Sequence, residues 1–323
     1  MPLQAIPLDQ LSKVGLGVRR PEDVVVSKDG RVWLSDQNSA AAEVLPDGTL
    51  NRVGAAGGSP NGINMDAQGR ILIANVGGLD GESADTPAVG GGGPLQRLDV
   101  ETGEIEVLAS EVDGRPLLSS NYPIVDSAGN IYCSHSTSSN GTDAFDGRKD
   151  GFLFRLNLDG SAELLADEIQ FANGLALDAD EAHVYVCQTT GCNVVRYAIN
   201  ADGSLGPAEE YGPKLGITAA EVQDERPLSP ETRGKLGLTD GCGFDQDGNL
   251  WVTLPMSNKV VAITPGGDVE TMIEDLEGKI MRAPTNVSWG GDGMRDLYVG
   301  SIVTDYVIKA RSPAPGMPLI HQR

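Results

Sequence analysis

A chain of 323 residues with 40% hydrophobic and 22% charged side chains is long enough to bury a sizeable core and too apolar to remain disordered. Its formal charge of −22 offers no basic patch for polyanions, which makes nucleic acid and anionic membrane poor candidates as partners. The 42 glycines and 19 prolines, against 5% aromatics, point to many turns between short strands and so to an all-β fold.

Residues 1–10 contain no basic region followed by an apolar run, and no stretch approaches the roughly 20 apolar residues of a membrane span. The chain therefore reads as soluble and cytoplasmic. From Glu22 onward one unit recurs: a polar residue, an apolar run, an Asp/Gly turn and an apolar-aromatic run. It appears at Glu22, Asn61, Asn121, Asn173, Asp240 and Asn286. In four units the leading residue stands eleven positions before Trp33, Leu72, Tyr132 or Trp251, and the other two carry one more residue before Tyr185 and Tyr298. Each reads as a β-hairpin, and further strand pairs such as those around Asp47-Gly48, Asp159-Gly160 and Gly266-Gly267 supply a second hairpin per unit.

Four antiparallel strands per unit, repeated six times at intervals of 39, 60, 52, 67 and 46 residues, predict a six-bladed β-propeller spanning residues 1–323 as a single domain. The last unit runs out after its third strand, near Tyr306–Ala310, so the segment before Glu22 is expected to add the missing outer strand and close the ring. The longer intervals hold insertions at residues 76–94, 136–150 and 205–239, the last with a short helix signalled by Ser229, Pro230 and Glu231. Strand topology gathers these loops on the face where the innermost strands begin, where binding and catalysis are expected. Cys133, Cys187, Cys192 and Cys242 have no metal-knuckle spacing and read as buried free thiols.

The six leading residues should converge at the channel mouth on that face. Two carboxylates and four amides supply oxygen ligands without imidazole or thiolate, which suits a hard cation of high coordination number. Calcium is the first expectation, with magnesium, manganese and zinc as alternatives. The residues that end the second strands, Asp36, Asn75, His135, Gln188, Leu254 and Ser301, are expected to line the same mouth, with His135 as the one histidine placed for acid–base work.

The pattern over Glu22–Ser301 resembles the senescence marker protein / gluconolactonase (regucalcin-like) family of six-bladed propellers, with diisopropylfluorophosphatase as a cousin. The resemblance implies that Glu22, Asn173 (as Asn-Gly) and Asp240 (as Asp-Gly) hold a divalent metal, joined by Asn121. It implies a metal-dependent hydrolase that opens a lactone, the metal polarising the carbonyl and Asp240 acting as catalytic base. Asn61, Asn286, His135 and Tyr122 would line the channel or touch substrate. Two departures bear on the substrate: Ser119 stands where members resembling this chain often carry Arg, and Tyr122 where Asp is common. Asp23-Val24 replaces the frequent Gly-Pro after the first-blade Glu. The alternatives are a phosphotriesterase, an isomerase using the same metal, and a non-enzymatic binding propeller with structural calcium. Which lactone is opened and the oligomeric state stay open.

Overall fold

The computed structural model describes residues 3–78, 86–139, 145–223, 225 and 227–323. Short apolar runs between turn residues give strands throughout. After β1 (Ser12–Val14) come β2 (Val24–Val26), β3 (Val32–Ser35), β4 (Ala41–Val44) and β5 (Leu50–Val53), then β6 (Pro60–Met65), β7 (Ile71–Asn75), β8 (Leu95–Leu98) and β9 (Ile105–Ala109). A small hairpin, β10 (Glu111–Val112) and β11 (Arg115–Pro116), precedes β12 (Ser120–Val125), β13 (Ile131–His135), β14 (Gly151–Leu156) and β15 (Ala162–Ile169). Next are β16 (Ala172–Leu177), β17 (His183–Gln188), β18 (Asn193–Ala198) and β19 (Glu209–Tyr211), and the helix α1 (Pro230–Arg233), capped by the Ser229 hydroxyl on the Thr232 N–H. The chain finishes with β20 (Cys242–Phe244), β21 (Leu250–Leu254), β22 (Lys259–Ile263) and β23 (Val269–Glu274), then β24 (Pro284–Gly290), β25 (Asp296–Ser301) and β26 (Val307–Arg311).

These strands form six four-stranded antiparallel sheets, the blades, each running from an inner to an outer strand in chain order. The sixth takes its outer strand from the other end of the chain: β1 pairs with β26, Ser12 opposite Lys309 and Val14 opposite Val307. Inner strand β2 contacts both β6 and β24, so the ring of inner strands is closed. The fold is the expected six-bladed propeller with N-terminal closure.

Packing lies between blades. Leu72 and Leu95 of blade two pack with Cys133, Phe152 and Phe154 of blade three, and Tyr185 and Cys187 of blade four with Leu250 and Val252 of blade five. Asp/Gly turns are held by their own side chains: Asp245 accepts the backbone N–H groups of Asp247 and Asn249 and the Trp251 indole N–H. All four cysteines are free and buried. At the end of the channel away from the insertions the C-terminal tail packs inward. Gln322 donates to the carbonyls of Val26 and Trp289, and a void of about 40 Å³ remains above it. No helix among the described residues is long and apolar enough to cross a membrane.

Candidate active site

At the insertion-bearing end the channel opens into a cavity of about 300 Å³ whose polar residues are Glu22, Asn61, Asn121, Asn173 and Asp240, with Arg20 and Thr189 beside them. Five of the six leading residues therefore meet in one place. Local backbone explains how. The β6–β7, β12–β13, β16–β17 and β24–β25 ladders each break register at their first residues, so Asn61, Asn121, Asn173 and Asn286 sit in bulges that turn their side chains inward. Glu22 and Asp240 precede the first paired residues of β2 and β20.

The glycines that follow three of these residues, Gly62, Gly174 and Gly241, answer a steric demand. A Cβ on Gly174 would lie 2.5 Å from the Gly241 Cα, and one on Gly241 would lie 2.5 Å from the Thr285 carbonyl oxygen. Neighbouring inner strands touch backbone to backbone here: the Gly174 N–H donates to Asp240 O and the Gly241 N–H to Thr285 O. Asn-Gly and Asp-Gly are thus the signature of a narrow channel as much as of a binding site.

Where other blades replace that glycine, the side chain fills the channel beneath the cavity. Tyr122 lines the lower void and Asn286 donates to its hydroxyl at 3.2 Å, so both lie below the floor and outside the upper cavity. Asp23 is buried at the same level. It accepts the Ile63 N–H at 2.8 Å and the Val24 N–H at 2.7 Å, and Asn286 donates to it. Burial pushes its carboxyl up to about 7 despite these donors. The replacement of Gly by Asp after Glu22 is the sequence signal for this residue; its place under the floor was not legible there.

Within the cavity Arg20 donates to Asn61 Oδ1 at 3.0 Å and stands 3.8 Å from Glu22 Oε2, while Asn173 donates to the Thr189 hydroxyl at 3.0 Å. Burial, and next the charge of Glu22, hold the Asp240 carboxyl well above the usual carboxylate range; Arg20 and a hydrogen bond from Asn173 oppose that rise. Two flanking residues, Arg20 and Phe171, have left-handed φ of 54° although neither is glycine. Each stands two residues ahead of a floor residue and borders the cavity.

The second-strand ends do not line the mouth. His135 is fully buried, stacked on Phe152 at 4.2 Å, with Nε2 accepting the Leu118 and Ser119 N–H groups; burial pushes it down to about 3. Asn75 accepts the Ser59 and Gly77 N–H groups, and Ser301 donates to the Arg282 carbonyl. The residues one step further on border the cavity instead: Val76, Thr189, Pro255 and Ile302. Side chains alternate along a strand, so an error of one position exchanges blade interior for channel. Each insertion also contributes a wall residue, Val76, Phe145 and Leu238 respectively; residues 79–85, 140–144, 224 and 226 of those insertions lie outside the described residues. Ser119, in the slot where Arg was noted as frequent, turns its hydroxyl to the Thr137 carbonyl and is not on the wall.

Among the described residues no three His, Cys, Asp or Glu side chains gather as a metal cluster, so a cation here would rest on two carboxylates and on amide oxygens. One such oxygen fits that role directly. Asn121 Oδ1 is buried and accepts no hydrogen bond among the described residues, which is costly unless a ligand meets it. The donor set suits a hard divalent cation.

Residues 57–303 match the SMP-30/Gluconolactonase/LRE-like region. A curated relative, the 6-deoxy-6-sulfogluconolactonase of Pseudomonas putida, is 29% identical over 48% of this chain and 46% of its own. The chain spans about half the length of the first curated relatives it matches. Among solved structures, a gluconolactonase from Xanthomonas campestris superposes with TM-score 0.69 at 19% identity, over 95% of this chain and 89% of that one. The calcium-binding protein regucalcin from Agrobacterium tumefaciens gives 0.67 at 16%, over 95% and 94%. These two likenesses show the fold. The matched region covers most of the propeller and the floor residues Asn61, Asn121, Asn173 and Asp240, with Glu22 ahead of it, and by it the chain belongs to the SMP-30/gluconolactonase family.

Proposed function

We propose that this protein is a divalent-metal-dependent lactonase, calcium being the first candidate ion. The observation that carries the reading is the convergence of Glu22, Asn121, Asn173 and Asp240 at the floor of one cavity, in a chain whose family includes lactonases. The calcium bound by the structurally similar regucalcin supports the choice of ion. Glu22, Asn121, Asn173 and Asp240 would hold it. When bound, such a cation supplies electrophilic pull on the lactone carbonyl oxygen and lowers the pKa of water.

The remaining work falls to the chain. Asp240, at the floor of the cavity, takes the proton of the attacking water at a carboxylate oxygen. The water oxygen bonds to the carbonyl carbon, the ring C–O bond breaks, and the proton passes to the departing alkoxide, leaving a hydroxy acid. Asn173, tied to Thr189, fixes its amide beside Asp240, and the Asn286–Tyr122 hydrogen bond lies in the channel beneath the floor.

The test is a panel of lactones and a phosphotriester, followed by proton release with calcium-loaded protein. Turnover of lactones with little or none of the phosphotriester is expected. A loaded, folded protein inert to every lactone would overturn the proposal, and faster turnover of the phosphotriester would reassign the same site.

A further inference from the structure

The walls of the cavity differ in character from its floor. Above Glu22, Asn61, Asn121, Asn173 and Asp240 stand Phe171, Leu238, Pro255, Met256 and Ile302, with Val76 and Phe145 completing the ring. They come from four blades and from all three insertions, so no single amphipathic element accounts for them. Phe145, Met256 and Ile302 are 50%, 45% and 39% exposed, and Val303 next to Ile302 is 52% exposed. An exposed apolar rim around a polar floor gains nothing for folding and marks a ligand surface.

Phe171 gives independent support. Its backbone is left-handed, a conformation unfavourable for an aromatic residue, yet its side chain borders the cavity and stacks on Phe145 with centroids 4.8 Å apart. Strain held at a cavity wall is the pattern of a positioned ligand contact. Among the described residues the polar side chains that the wall adds are Arg20 and Thr189, both hydrogen-bonded to floor residues. A sugar lactone carries hydroxyls around its ring, and each one stripped of water against an apolar wall without a partner is penalised.

We infer, resting on the lactonase reading, that the preferred substrate is a lactone bearing an apolar alkyl or aryl substituent. The ester group meets the floor while the substituent lies against Phe171, Leu238, Pro255, Met256 and Ile302. The specificity of this site is then set by the rim and not by hydroxyl recognition.

The test compares lactones that share a six-membered ring: δ-valerolactone, its pentyl-substituted analogue δ-decalactone, and glucono-δ-lactone, with calcium-loaded protein. The kcat/KM for δ-decalactone should exceed the other two by about tenfold or more. The double variant Met256→Ser, Ile302→Ser, at partly exposed positions, should erase that advantage, with thermal unfolding measured alongside to confirm that the variant is folded. Glucono-δ-lactone turned over as well as δ-decalactone, or a preference surviving the double variant, would overturn the inference while the lactonase reading stands. If no lactone is opened, the lactonase reading fails on its own, and calorimetry with the matched pair of lactams decides the rim. Tighter binding of the pentyl lactam, lost in the double variant, supports the apolar pocket, and equal affinities overturn it.

Discussion

Burial and the charge of Glu22 both resist ionisation of Asp240, and a cation beside it would favour the carboxylate, the form that the proposed mechanism needs as proton acceptor. Asp240→Asn keeps an oxygen at the floor and removes the acceptor. Its kcat should fall by ~10²- to 10⁴-fold and stay low at saturating calcium; recovery on adding metal would make Asp240 a ligand alone. His135 gives the opposite expectation. His135→Gln preserves an acceptor for the Leu118 and Ser119 N–H groups, so kcat should not change. The folded histidine binds a proton only near pH 3 whereas the unfolded one does so near its ordinary 6.5, so in between the unfolded state holds more protons. Its contribution to stability is complete above about 6.5 and declines as pH falls toward 3. Denaturation curves across that window should be less steep in pH for the variant, and an equal slope would contradict the assignment. His135 and Val76 show where sequence reading stops at this scale. Strand ends are legible from periodicity, but bulges shift which neighbour faces the channel, and no composition records that shift.

The floor is made by the starts of the inner strands, bulged in four of the six blades, and by the residue that follows each leading one. Polar residues at one register made the floor legible, because channel geometry forces the same backbone solution on successive blades. The glycines have a separate role that can be measured. Gly174→Ala places a methyl against the Gly241 backbone and should cost ~1–3 kcal/mol in urea or thermal unfolding, with weaker calcium binding as the floor spreads. Unchanged stability would mean the inner strands separate freely. The apolar wall was not legible: Leu238, Met256 and Ile302 come from links and strand-end turns with no period, and only the closed ring brings them together. Asp23 was visible as an unusual residue, yet its burial under the floor depends on Asn286 and Ile63 from two other blades.

At the scale of the molecule, ring closure was the most legible feature, since a blade one strand short at Val307–Arg311 requires a partner and Ser12–Val14 supplies it. Closure makes the ring of inner strands continuous, which lets residues as far apart in sequence as Glu22 and Asp240 share one cavity. A net charge of −22 attracts cations and repels anions, which favours an uncharged lactone over an anionic one. In the proposed reading the two carboxylates and the Asn121 oxygen, all on one cavity, would hold one hard cation, and that reading depends on it. The most direct measurement is the rate of lactone opening by protein stripped with a chelator and verified metal-free by elemental analysis, before and after calcium is restored. The rate should vanish on stripping and return with calcium, with Glu22→Gln needing far more calcium to recover; an undiminished rate in the metal-free protein would contradict the account.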